Sequence, residues 1–332
     1  MIELQNDALL FRFPDVHEDA VLRIEFQRTL RIPDDDRDYP LPPGLGRFPL
    51  AHVDDFTGRV PAKWAEHGGV MLPMYQSEAM WLSFNSSNGY PFAVKVATGK
   101  INAATGEAWA DGLTRDPQDY LSIPSQPWLD GYCIERGIIR QFVAMPLGAG
   151  YTAEEQITGE AAHGGLQLAA HPVKASVYEQ VKRRRAEYER AMPAMMDYVS
   201  ASAAPSFDMG LAPGGRMRQE IYEDPYSAAD WELGASSRCF VHIANSLVWR
   251  QITGDNPPTV PPTAAEYTRA GLPWFAWYGE QPALPGGGPL RALKSIFKLG
   301  KEKGDVPLPE NSSVEPGHIV PLGKGIVREG AF

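Results

Sequence analysis

Polar side chains set inside apolar runs are the residues of this chain best placed to do chemistry. In Ile138-Ile139-Arg140-Gln141-Phe142-Val143-Ala144, a guanidinium and an amide interrupt a greasy stretch. In Phe240-Val241-His242-Ile243-Ala244-Asn245, an imidazole and an amide do the same. Read as strands, alternation sends Arg140 and Gln141 to opposite faces and places His242 with Phe240 and Ala244. Burying such groups without partners costs about 1–3 kcal/mol each, and more for a charge. Arg140 therefore calls for a carboxylate, with Asp130, Glu78 and Glu107 as the choices. Trp81, Trp128, Trp249 and Trp274 offer flat apolar walls, and ligand pockets combine such walls with a few orienting polar groups. The expected site is a polar pocket holding Glu78, Trp81, Trp128, Asp130, Arg140, Gln141, His242 and Asn245. The competing reading is an edge strand with its polar side in water and the tryptophans in the core.

Motifs that name a reaction are missing. The chain has no phosphate-binding loop, dinucleotide fingerprint, His-Glu-x-x-His or paired Cys-x-x-Cys, and no Gly-x-Ser-x-Gly elbow. Asp34, Asp36 and Asp38 open like a calcium loop, but Tyr39 and Leu45 stand where glycine and glutamate belong. His52, two residues from Asp54, could with His67 supply metal ligands or an acid–base pair, but no ligand spacing supports this, and His163 and His171 read as surface histidines; the expectation is no metal site, with the cofactor unknown.

The elements that must position these residues are short. The 332 residues include 32 Gly and 30 Pro, so the chain turns often and long helices cannot dominate it. Strand-like runs appear at 21–26, 70–74, 80–84, 92–97, 120–123, 216–222 and 239–246. Tyr132 to Glu135 and Ile138 to Met145 read as a hairpin turning at Arg136-Gly137. Residues 33–49 read as a Pro- and Gly-rich loop. Ser176 with Glu179 predicts a helix over 177–192 carrying the basic run Lys182 to Arg185, and Thr263 with Glu266 predicts a second helix stopping near Gly271. Arg140-Gln141-Phe142-Val143 with Gln156-Ile157-Thr158-Gly159-Glu160 is echoed by Arg238-Cys239-Phe240-Val241 with Gln251-Ile252-Thr253-Gly254-Asp255. The echo admits two related β units split near 172–205, with chance similarity as the alternative.

The tail differs from the rest. After the break Gly286-Gly287-Gly288, a basic amphipathic helix is expected near 290–303, with Leu290, Leu293 and Phe297 on one face. Such a helix docks on its own acidic domain or contacts a membrane surface or partner protein.

Charge and hydropathy exclude several classes. With 31 basic and 41 acidic residues the formal charge is −10, which argues against nucleic-acid binding through phosphates. No apolar run approaches the roughly 18 residues a membrane-crossing helix needs. The N-terminus shows no basic stretch leading into an apolar one, so the expected location is cytoplasmic, with Cys133 and Cys239 as thiols. The sequons at Asn85 and Asn311 are then plain loops.

Several long segments carry a resemblance. They include Phe26-Gln27-Arg28-Thr29-Leu30-Arg31-Ile32-Pro33, Leu72-Pro73-Met74-Tyr75-Gln76, Ala79-Met80-Trp81-Leu82-Ser83-Phe84, Gln126-Pro127-Trp128-Leu129-Asp130-Gly131 and Gly271-Leu272-Pro273-Trp274-Phe275. Over most of residues 20–280 the chain resembles an uncharacterised family of bacterial and fungal proteins. No activity is established for that family, so the resemblance implies membership without a reaction, a cofactor or a site. Some of its members are labelled integral membrane proteins, which the hydropathy here contradicts.

These readings combine into one expectation. The fold is α+β and β-rich, with antiparallel sheets in a sandwich or barrel-like arrangement. Residues 1–285 form the body and 286–332 the tail. The function expected is non-catalytic binding or assembly, with a small molecule or protein as ligand. The alternative is a hydrolase in which carboxylates and His242 do acid–base work.

Overall fold

The computed structural model describes residues 1–189, 209–277, 281–305 and 312–322. The first strands are β1 (Ile2–Leu4), β2 (Ala8–Arg12), β3 (Val21–Thr29), β4 (Asp38–Tyr39), β5 (Gly44–Arg47), β6 (Ala51–His52), β7 (Val70–Met74), β8 (Ala79–Ser86) and β9 (Phe92–Thr98). They are followed by β10 (Ile101–Asn102), β11 (Leu121–Ile123), β12 (Trp128–Leu129), β13 (Gly131–Glu135), β14 (Ile138–Pro146), β15 (Leu166–Pro172), β16 (Met209–Arg218) and β17 (Ser237–Asn245). A separate parallel pair joins β18 (Trp274–Trp277) to β19 (Ile319–Leu322).

The strand pairing explains the core. One antiparallel run passes β1-β2-β3-β8-β14-β16. A second passes β17-β15-β9-β11, with β7 parallel to β17 on its other side. The runs meet at the single pair Met209↔Ile243. Leu22, Ile24 and Phe26 of β3, Met80, Leu82 and Phe84 of β8, and Phe142 of β14 share one core with Phe92, Val94 and Val96 of β9 and Val241 and Ile243 of β17. The period-two pattern along these strands sends every second side chain into that shared layer. The protein is thus α+β and β-rich, with largely antiparallel sheet and no closed barrel. Strands on either side of residues 172–205 interleave: β16 and β17 pair with β14, β4, β15 and β7.

The helices other than α3 are short: α1 (Ala62–His67), α2 (Ala153–Thr158), α3 (Ala175–Glu189), α4 (Ser246–Thr253), α5 (Ala264–Arg269), α6 (Gly288–Arg291) and α7 (Ile296–Lys303). The box at Thr263 and Glu266 caps α5 as the sequence predicts. α3 instead begins at Ala175, so Ser176 lies in its first turn, and residues 190–192 of the expected helix fall outside the described residues. The echoed Gln-Ile-Thr-Gly segments turn out to be one capping device used twice. Thr158 Oγ1 donates to Glu154 O (2.8 Å) and accepts from Glu160 N (3.1 Å), while Thr253 Oγ1 donates to Trp249 O (2.9 Å) and accepts from Asp255 N (3.1 Å). Gly159 and Gly254 follow with positive φ, closing α2 and α4 in the left-handed region where glycine is favoured.

The tail is no free appendage. The expected single helix is two short ones, α6 and α7, interrupted before the cap Ser295. Leu290 and Leu293 are buried in the main core, and Ile296, not Phe297, is the buried residue of α7. The Gly286-Gly287 break is a close approach, since a Cβ on Gly287 would lie 2.1 Å from Thr105 O. Asp34 of the acidic loop accepts a hydrogen bond from Phe297 N (3.0 Å), which anchors α7 on the body. Leu290, Leu293 and Ile296 of this segment are therefore packed against the protein itself. Among the described residues, no helix is long and apolar enough to cross a membrane.

Candidate functional site

The expected pocket residues are distributed over several environments. Arg140 does not meet Asp130, Glu78 or Glu107. Its guanidinium lies 3.6 Å from Asp34 and donates to Gly214 O (3.1 Å), because the acidic loop folds back over β14. Gln141, on the opposite face, clamps the chain after β3, donating to Leu30 O (2.8 Å) and accepting from Ile32 N (3.0 Å). Glu78 is fully buried against Arg28 (Nε to Oε1, 2.8 Å), and its other oxygen accepts from Tyr75 N (3.0 Å). Burial pushes its carboxyl up, while the Arg28 charge pulls it back.

His242 sits elsewhere, on β17. It stacks on Trp64 of α1, ring centroids 4.8 Å apart, and its Nε2 is 3.0 Å from Gly68 O. Burial lowers its pKa to about 4, so it is a neutral packing residue at neutral pH. Among the described residues no contact joins it to Arg140, which lies instead against Asp34 and Gly214. Asn245 ends β17 inside the core beside Met74, and Trp81 is half-buried on β8 opposite Gln27. Trp249 and Trp274 belong to secondary cores. Among the described residues no group of three or more His, Cys, Asp or Glu is placed to hold a metal ion.

One expected residue, Trp128, lines a cleft of ≈ 270 Å³, and a second, Asp130, is buried behind it. Trp128 of β12 forms one wall. Trp277, at the end of β18, meets it edge to face, centroids 5.2 Å apart at 83°. The Trp277 indole donates to the Tyr222 hydroxyl (2.7 Å), which fixes the ring although it is 37% exposed. The floor comes from the β13–β14 turn at Gly137 and from the chain leaving β16, since Ile138 pairs with Arg218. Gln219 N then donates to Gly137 O (3.1 Å).

Two amides make this cleft rigid. Gln126 donates to Trp128 O (2.9 Å) and accepts from Tyr222 N (3.1 Å), tying both walls together. Gln219 donates to Asp130 Oδ2 (2.7 Å) and accepts from Asp130 N (3.0 Å). Asp130 is thus buried behind the cleft wall, also hydrogen-bonded by the Trp128 side chain, with no cationic partner among the described residues. Burial outweighs those donors and raises its pKa to about 7.

The sign follows from linkage. The folded state holds this proton more tightly than the unfolded chain, so the group favours folding at low pH. That advantage fades as pH rises from about 4, the ordinary carboxylate value, through about 7. Trp128 reports the event, because its side chain bonds the titrating carboxyl. We expect a tryptophan-fluorescence transition with midpoint near pH 7 that Asp130→Asn removes. An unchanged transition in that variant would detach it from Asp130.

The sequence missed most of this site. Arg218, Glu220 and Tyr222 alternate along the strand-like run 216–222, the one signal that pointed to them. Trp277 and Gln126 gave none beyond their residue type. No family model, curated protein or solved structure matches the chain, so the family resemblance gains no support from them.

Proposed function

We propose that this is a non-catalytic binding protein whose small-molecule ligand occupies the cleft between Trp128 and Trp277. The observation that carries this reading is the pre-formed wall. Perpendicular indoles are held by Gln126, Tyr222 and Gln219, whose polar groups are spent on internal hydrogen bonds. Such groups shape a site and do not react. A rigid aromatic wall also lowers the ordering cost of binding. The cysteines are free and buried, which supports a cytosolic location.

The test is a ligand screen of amino acids, sugars, nucleosides and small carboxylates read by tryptophan fluorescence. Trp277→Ala should weaken any hit by about 2 kcal/mol or more, roughly thirtyfold. Thermal stability should barely change, because the ring is partly exposed. Equal affinity in the variant would place the ligand elsewhere.

Acid–base hydrolysis is the second reading, and Asp130 is what favours it: a carboxyl buried behind the cleft wall, hydrogen-bonded to the wall residues Trp128 and Gln219, keeps its proton up to about pH 7. Turnover of chromogenic esters or glycosides, lost in Asp130→Asn and following a pKa near 7, would favour catalysis over binding.

A further inference from the structure

The same cleft carries two charges of opposite sign. Arg218 and Glu220, two residues apart on the chain leaving β16, both line it. An extended chain separates such positions by about 6.6 Å on one side. Among the described residues neither side chain has an ion pair or hydrogen bond, and they do not pair with each other. This is unusual in the molecule, whose other strand arginines are engaged: Arg28 with Glu78, Arg140 with Asp34, and Arg216 with Asp38 and Glu135. A cation and an anion thus stand open beside two indoles.

We infer that the cleft takes a free α-amino acid, its carboxylate on Arg218, its ammonium on Glu220 and its side chain against Trp128 and Trp277. This rests on the cleft being the ligand site. A dicarboxylate would leave Glu220 opposed, an amine would leave Arg218 opposed, and a neutral sugar would use neither charge. A zwitterion satisfies both. Pockets for drug-sized ligands run to about 300–1,000 Å³, so a cleft of ≈ 270 Å³ suits a smaller molecule of amino-acid size. The guanidinium suits the carboxylate because its planar donors match two oxygens at once. Indole faces suit a large apolar side chain, and they also favour an ammonium close by.

Calorimetric titration of the full chain with the twenty proteinogenic amino acids tests this, alongside D-glucose and indole as neutral probes. Phenethylamine and 3-phenylpropionate serve as single-charge analogues of L-phenylalanine. Large apolar amino acids, L-phenylalanine among them, should bind, with both analogues at least about tenfold weaker, since each loses one charge-assisted contact. Arg218→Gln should weaken L-phenylalanine about tenfold or more and leave phenethylamine unchanged. Glu220→Gln should do the converse, leaving 3-phenylpropionate unchanged. Binding of no amino acid, or of L-phenylalanine equally in both variants, overturns the inference. If D-glucose or indole then binds and Trp277→Ala abolishes it, the cleft reading survives alone. If no probe in the screen depends on Trp277, both fall.

Discussion

Replacing Glu78 with Ala should destabilise the protein by about 3–5 kcal/mol, because it strands a buried guanidinium. Arg28, near the end of β3, and Glu78, just before β8, both have fully buried side chains. Arg28 continues the inward row Leu22, Ile24 and Phe26, where a fourth apolar residue would ordinarily sit. Its other contacts are slender: Nη2 reaches Thr259 O at 3.3 Å, the Phe48 ring lies 5.1 Å away, and Nη1 has no partner among the described residues. Removing the carboxylate leaves the charge with one weak acceptor. Replacing both partners, as Arg28→Met with Glu78→Leu, removes the desolvation cost from both sides. The double variant should therefore match the wild type or exceed it by about 1–4 kcal/mol. Urea unfolding of the three proteins measures this, and a loss below about 1 kcal/mol in Glu78→Ala would show that the pair is hydrated.

Leu290→Ala should cost about 2–5 kcal/mol, the range for truncating a buried leucine. Leu290 is fully buried and stands beside Gly106, where an added Cβ would come 2.8 Å from its Cγ. The backbone beneath it is closed as well, since Gly287 N donates to Cys133 O (2.9 Å). The site has no room to collapse inward, so the lost side chain leaves a cavity. A surface-helix leucine would instead change stability by no more than about 0.5 kcal/mol. That smaller value, from thermal or urea unfolding, would return the tail to the status of an appendage.

The contrast between these residues shows what sequence can reveal here. Period-two alternation marked β3, and short apolar runs between turn residues marked β7, β8, β9 and β14, because these are local properties. The Arg136-Gly137 turn and the Thr263 cap were equally local. Long-range partners were not visible. Arg140 meets Asp34 only because a Pro-rich loop crosses back, and Arg28 meets Glu78 fifty positions along the chain. The basic tail residues drew attention to charge, whereas Leu290, Leu293 and Ile296 decide its placement. At the site, Trp128 stood out as an aromatic wall, whereas Asp130 stood out only as a partner for Arg140, which meets Asp34 instead. Gln126, Gln219 and Tyr222, which hold the walls, are of ordinary type, and only the pairing of β14 with β16 brings them there.

The most direct test of the binding account is capture of small molecules from a metabolite extract by the purified full chain, with Trp277→Ala as the paired control. The account predicts one compound retained near equimolar by the wild type and lost by the variant at unchanged melting temperature. A compound retained equally by both proteins would contradict it, as would an extract from which neither retains anything.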